Sequence, residues 1–297
     1  MLFQTSIIYR FGIVLTLLFI FLVPLLSSTF VDIFWGFAVL TLGILHGAND
    51  LEIIAKNFNG RSKYLFIKSI SLYIAVVLLG GFFFFTLPAA ALLVFILFSS
   101  YHFGEQHWEG RLPHSVQTFL FYTLYGAFIF FLIFSFQYES VVLIIEQISN
   151  RHFDFPYFLN TTLFLGGVLM LFMAVVPQLR RHFVQECLLL VLLGVLFSVG
   201  SLLFTFAFYF VIWHSLPSLR DQLEFLYGSM SFRSFGRYLK SSALYWMAAL
   251  VTLFLVYHYI DFQADYFMPL FFSFLAAITF PHTVVMGLMK HQNGSTD

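Results

Sequence analysis

Ten apolar runs, each near the length needed to cross about 30 Å of hydrocarbon, follow one another along this 297-residue chain. They lie near 7–27, 30–50, 64–86, 88–104, 116–137, 158–178, 183–199, 201–216, 242–260 and 266–288. The expected fold is therefore all-α, a polytopic transmembrane helical bundle of about ten helices that forms one domain over residues 1–297. Pro88 and Gly200 mark the two joins where one kinked helix would replace two separate ones, which sets the range at eight to ten. Composition agrees: 61% of residues are hydrophobic, 21% aromatic and only 9% charged, far from the balance of a soluble domain. The 44 phenylalanines supply bulk without polar atoms, either as lipid-facing surface or as the lining of a site for a long apolar molecule.

Lysine and arginine collect in cytoplasmic loops. With the N-terminus inside, the cytoplasmic segments hold Arg10, then Lys56, Arg61, Lys63 and Lys68, then Arg111, then Arg180 and Arg181, then Arg220, Arg233, Arg237 and Lys240, and finally Lys290. Of the 14 basic residues only Arg151 falls outside, so both termini are expected in the cytoplasm, in a membrane of the bacterial inner (plasma) type. Arg10 also flanks the first run as it would a signal peptide, but no small-x-small cleavage pattern follows Leu26, and the run is read as a helix. Zero net charge and the lack of a basic run argue against nucleic acid as a partner. The single cysteine, Cys187, excludes a disulfide framework and any cysteine-built iron–sulfur or zinc site, and is expected to be a small buried residue.

His46, His102, His214 and His282 each fall near the end of an apolar run, and the charge pattern sends those four ends to one side of the membrane. Ring nitrogens are costly in lipid, so four at one depth point to a metal site. In Gly43-Ile-Leu-His46-Gly47-Ala48-Asn49-Asp50, the spacing predicts His46 and Asp50 on one helix face, with Asp50 typed to take the second N–H of a metal-bound imidazole or to meet water. Gly47 and Ala48 permit close helix packing. In Ser99-Ser100-Tyr101-His102-Phe103-Gly104-Glu105-Gln106-His107-Trp108, His102 and Glu105 can face the same way. His107 lies about 140° around the helix, as an outer partner or an additional ligand. Trp108 reads as an interfacial anchor.

Pro217 leaves the Trp213 carbonyl without its helical donor, which predicts a kink or a stop just after His214. Pro281 loosens the turn beside His282 in the same way. Each motif alone also fits a polar helix end meeting lipid headgroups, or a histidine satisfied by packing. The coincidence of four is what favours a metal. His114, His152, His182, His258 and His291 sit in loops or at run edges, where solvated side chains are expected.

Together, His46-Gly-Ala-Asn-Asp50, His102-Phe-Gly-Glu105, Trp213-His214-Ser215 and Pro281-His282-x-Val-Val resemble the Brp/Blh family of integral-membrane beta-carotene 15,15'-dioxygenases. The order and spacing of the motifs are similar over nearly the whole chain. The resemblance implies Fe(2+)-dependent cleavage of beta-carotene at its central double bond by O2, giving two retinal molecules, often as chromophore supply for a microbial rhodopsin. It also implies that His46, His102 and His214 are iron ligands. The family pattern carries a further histidine one helical turn after the His214 position, where this chain has Ser218. His282 is the candidate to replace it, with His107 behind it, and the remaining alternatives are a site of three imidazoles or a chain that has lost the activity.

That chemistry suits these residues. Neutral imidazoles leave Fe(2+) with its full charge and open positions, and Asp50 and Glu105 would orient and polarise imidazoles rather than attack substrate. A C40 hydrocarbon is confined to the membrane lipid, so it should enter sideways between helices into a tunnel lined by Phe, Leu and Tyr. Three other classes compete, one of them a structural or assembly protein of the membrane, which would leave the histidine coincidence unexplained. Membrane di-iron hydroxylases and desaturases use HxxxH and HxxHH boxes, which this chain lacks. A transporter or proton-conducting protein would use Asp50, Glu105 and the histidines as relay groups, against which stand the absence of an internal repeat and the scarcity of charge.

Overall fold

The computed structural model describes residues 7–57, 63–113, 115–259 and 267–293, and the regular structure among the described residues is helical throughout. Arg61 and His114 lie outside the described residues, as do the side chains of Lys63, Lys290 and His291. The helices are α1 (Ile7–Leu22), α2 (Ser28–Ala38), α3 (Asp50–Asn57), α4 (Lys63–Thr86), α5 (Pro88–Trp108), α6 (Val116–Phe136) and α7 (Tyr138–Ser149). They continue as α8 (Phe158–Val175), α9 (Pro177–Arg180), α10 (Phe183–Val199), α11 (Leu202–Phe208), α12 (Leu216–Tyr227), α13 (Phe232–Tyr259) and α14 (Phe267–Asn293). Two wide π-helical segments, Val39–Gly43 and Tyr209–Ser215, follow α2 and α11 directly.

Among the described residues, eight helices are long and apolar enough to cross a membrane: Ile7–Leu25, Phe66–Thr86, Pro88–Trp108, Val116–Phe136, Phe158–Val175, Leu202–Tyr227, Phe232–Tyr259 and Phe267–Met289. Ser28–Gly43 and Phe183–Val199 are apolar but shorter. At 1.5 Å per residue each covers roughly 25 Å, short of the ~30 Å hydrocarbon core. The ten apolar runs thus resolve into eight full-length helices and two short ones.

Both doubtful joins are real breaks. Proline is tolerated at the first helical position, and Pro88 opens α5 one residue after α4 has ended. Gly200 is extended, and Ser201 caps α11 by accepting from the Phe204 N–H at 3.1 Å. One boundary differs from expectation: α13 begins at Phe232, ten residues ahead of the apolar run. Ser231 caps it by accepting from the Ser234 N–H at 3.1 Å, and long basic side chains such as Arg233, Arg237 and Lys240 can be helical while their charged ends reach water.

The chain divides into two compact units. One comprises Met1–Val39, Ile96–Leu143 and His152–Pro217, and the other Leu40–Phe95, Ile144–Arg151 and Ser218–Asp297. In the first, α6 packs on α8 and α10, α11 on α2, and α1 on α10. Gly104 of α5 and Gly126 of α6 set the tightest crossing: a Cβ at Gly104 would sit 1.9 Å from the Tyr122 carbonyl oxygen, and one at Gly126 would sit 1.9 Å from that of Ser100. Only glycine permits such an approach. In the second unit, α14 packs on α4 and α3 around Leu51, Ile53, Ile54, Val285, Met286 and Met289.

The outward faces are apolar, as a membrane solvent requires: Leu78, Leu79, Phe82 and Phe85 of α4 are all exposed, while Phe84 is buried. Half-buried Cys187 is less enclosed than expected, with its thiol 3.2 Å from the Met170 sulfur.

Candidate functional site

In the second unit, His46 and His282 are buried with their rings edge to face, centroids 4.8 Å apart. The expectation that His46 and Asp50 share a helix face is corrected here. Residues 46–49 form a turn held by i→i+3 bonds, Gly47 N–H to the Ile44 carbonyl (3.2 Å) and Ala48 N–H to the Leu45 carbonyl (3.1 Å). Asp50 starts α3, where the helix N-terminus favours a carboxylate. Its Oδ1 lies 2.8 Å from His282 Nδ1, and its Oδ2 accepts from the Tyr73 hydroxyl at 2.9 Å. His46 Nδ1 is in hydrogen-bond contact with the Gly43 carbonyl, the last residue of the first π-helical segment. Each imidazole of this pair therefore has its Nδ1 oriented by an oxygen of the protein, which makes Nε2 the nitrogen that could meet a metal.

A polar network fixes the backbone of this turn. The buried Tyr238 hydroxyl lies 3.1 Å from the carbonyls of Leu45 and His46 and 2.8 Å from Gln222 Oε1. Gln222 Nε2 donates to Ser218 Oγ at 3.1 Å, and Asn49 Nδ2 donates to the Tyr238 carbonyl at 3.0 Å. Ser218 is thus a fully buried member of a hydrogen-bonded chain that ends on the peptide of His46.

In the first unit, His102 on α5 and His214 in the second π-helical segment form a similar pair, centroids 4.7 Å apart at 74°. Both are buried, and His214 is flanked by the rings of Phe103 (4.7 Å) and Phe210 (5.5 Å). His102 Nδ1 is 3.8 Å from Glu105 Oε2, while Glu105 Oε1 accepts from the Tyr101 hydroxyl at 2.7 Å. Of the kink or stop expected after His214, the stop does not occur: the helix continues to Tyr227, with a π-helical segment over Tyr209–Ser215. The π-helical segment absorbs the proline: Leu216 N–H reaches back five residues to the Val211 carbonyl, and Ser215 Oγ donates to the Phe210 carbonyl at 2.8 Å. Such wide turns recur at functional sites.

His107 points elsewhere. Its Nε2 is 2.8 Å from Glu186 Oε1, and its ring stacks on Tyr125 at 4.8 Å. The Tyr125 hydroxyl donates to the same carboxylate oxygen at 2.6 Å. Glu186 sits in the first turn of α10 and His107 in the last turn of α5, so both helix dipoles favour the pair. Glu186 is not among the residues expected from the motifs, although a carboxylate inside an apolar run is a signal in the sequence. Tyr73 and Tyr238 carried no comparable signal.

Two further expectations are corrected. Trp108 is fully buried rather than interfacial, packed edge-on by Phe121 and Tyr125 and covered by the Arg111 guanidinium at 4.7 Å. His182 is buried rather than solvated, with its ring edge-on to Trp108. Burial lowers the His182 pKa, and the charges of Arg111 and Arg181 lower it further. His152 and His258 are exposed as expected.

No curated protein and no solved structure matches the chain. A family model described as Beta-carotene 15,15'-dioxygenase matches residues 37–290, a segment that contains both histidine pairs, Asp50, Glu105, Glu186 and Tyr238. A match over most of the length, on a chain with eight membrane-length apolar helices among the described residues, establishes the assignment. This chain belongs to the beta-carotene 15,15'-dioxygenase family.

Proposed function

We propose that this protein cleaves beta-carotene, or a closely related carotenoid, at its central double bond with O2 to give two molecules of retinal. The site uses Fe(2+) held by His46, His102, His214 and His282. The observation that carries the reading is that each unit buries a pair of histidine rings in edge-to-face contact, within the segment that matches the family. Imidazoles suit ferrous iron, and the Nδ1 contacts of His46 with Gly43 and of His282 with Asp50 are those that metal-bound histidines usually make.

When bound, ferrous iron supplies the one-electron chemistry that lets O2 react with a conjugated alkene. One C=C bond breaks and two C=O bonds form, with O2 as the oxidant, so no external reductant and no general acid is required. Asp50 orients the His282 ring, and Tyr73 orients Asp50. Phe103 and Phe210 give His214 an apolar surround that excludes water and suits a hydrocarbon substrate. Glu105 anchors Tyr101 beside His102. The substrate arrives from the lipid of a bacterial-type inner membrane, both chain termini face the cytoplasm, and the product can serve a retinal-binding rhodopsin.

In cells that accumulate beta-carotene, expression of this chain is expected to bleach the orange colour and yield extractable retinal. The His46→Ala, His102→Ala and His214→Ala forms should stay orange. Persistent colour with well-folded wild-type protein would remove the enzymatic claim.

A further inference from the structure

The three buried residues of α1 are Tyr9, Gly12 and Thr16, and all three touch Trp213, the residue before His214. Their spacing of three and four places them on one helix face. On the rest of α1, Ile7, Phe11, Val14, Leu17, Leu18 and Phe21 are exposed. This helix lies ahead of the segment that matches the family, 37–290. We infer that α1 is a positioning element for His214, acting through a clasp that Thr16 and Gly12 place on the Trp213 indole. The inference rests on the reading of His214 as an iron ligand.

The clasp has a definite polarity. The Thr16 hydroxyl donates its one proton to the Gly12 carbonyl at 2.7 Å, so toward the indole it acts as acceptor, and the Trp213 Nε1–H donates to it at 3.2 Å. Gly12 gives the ring its seat: a Cβ there would lie 3.1 Å from Cζ2 and 3.2 Å from Cη2 of Trp213. Tyr9 closes the third side edge-on, its ring centroid 5.5 Å away at 80°.

The consequence falls on the π-helical segment Tyr209–Ser215, every residue of which is buried. A π-type turn holds one residue more than an α-turn, and sliding back to α-pairing would rotate every following side chain about the axis. Anchoring Trp213 from outside the segment opposes that slide. His214, one peptide further on, is thereby held against His102 and between Phe103 and Phe210. Thr16 and Gly12 touch none of the reacting groups, so their role is positioning.

The test uses the full chain in detergent micelles, comparing wild type with Thr16→Val, which keeps the shape but not the acceptor, and Thr16→Ser, which keeps the acceptor. Three quantities are read: ferrous-ion affinity by chelator competition, indole fluorescence, and thermal unfolding. Thr16→Val is expected to weaken ferrous-ion affinity about tenfold and to shift the indole emission, with unfolding close to wild type, since loss of an outer partner costs a metal site roughly that much. Thr16→Ser should restore both signals. Wild-type affinity in Thr16→Val, or an equal loss in Thr16→Val and Thr16→Ser that follows reduced thermal stability, would overturn the role of α1 and leave the functional reading standing. A wild-type chain that binds no ferrous ion would overturn the functional reading and this role with it.

Discussion

Asp50 and His282, 232 residues apart in sequence, share a buried contact of 2.8 Å between Oδ1 and Nδ1. The second oxygen of the same carboxylate is taken by the Tyr73 hydroxyl, so the carboxylate is held from both sides. A buried carboxylate on the Nδ1 of a histidine fixes the ring's orientation and makes Nε2 a stronger donor to a metal. Asp50→Asn keeps the shape and removes the charge. Ferrous-ion affinity, measured by chelator competition, is expected to fall about 10- to 100-fold while the helical circular-dichroism signal is retained. Unchanged affinity would separate Asp50 from the metal.

His107 and Glu186 form a buried pair, Nε2 to Oε1 at 2.8 Å. Removing one partner of such a pair strands the other, at a cost of about 3–5 kcal/mol, whereas replacing both by apolar residues restores much of the loss. Glu186→Leu should therefore be strongly destabilised in thermal melts, and the His107→Leu/Glu186→Leu double variant should recover. Iron content per folded chain should match wild type in the double variant; a loss there would mark His107 as a ligand.

The glycine crossing of α5 and α6 admits no side chain. Gly104→Ala places a methyl 1.9 Å from the Tyr122 carbonyl oxygen, and relief requires the helices to part, at about 1–3 kcal/mol or more. Gly167→Ala, with nothing within 4 Å of the added Cβ, is the control and should melt with wild type. Equal melting temperatures for the two variants would contradict this packing.

Burial and two arginine charges depress the pKa of His182 in the folded protein. The unfolded chain then binds the proton more readily, so this residue contributes stability above the ordinary histidine pKa, about 6.5, and loses it as the pH falls through the folded value. Melting temperature should drop on acidification, and His182→Gln should drop less. Parallel curves for the two proteins would show that His182 is not part of the response.

The helices and the four central histidines were legible because both express a cost of lipid: apolar runs need length, and ring nitrogens inside them need a reason. Pairing was less legible. His46 with His282 and His102 with His214 come together through tertiary packing, which motif spacing does not encode. The π-helical segments are not legible because an i→i+5 turn leaves no distinct apolar pattern in the sequence, so Pro217 signals only a kink or a stop. Glu186 is legible only as a carboxylate in an apolar run, and no motif links it to His107. Trp108 reads as interfacial and His182 as solvated because both lie at the edges of apolar runs, whereas the rings that bury them come from α6 and from each other.

The central claim, oxidative carotenoid cleavage at a histidine-held iron, is tested most directly on purified protein by measuring iron content and retinal yield together. The account expects about one iron per folded chain and about two retinal molecules per beta-carotene consumed, with both lost in His46→Ala and His214→Ala. Folded, iron-replete protein that yields no retinal under O2, or retinal formation that persists after a chelator has removed the iron, would contradict it.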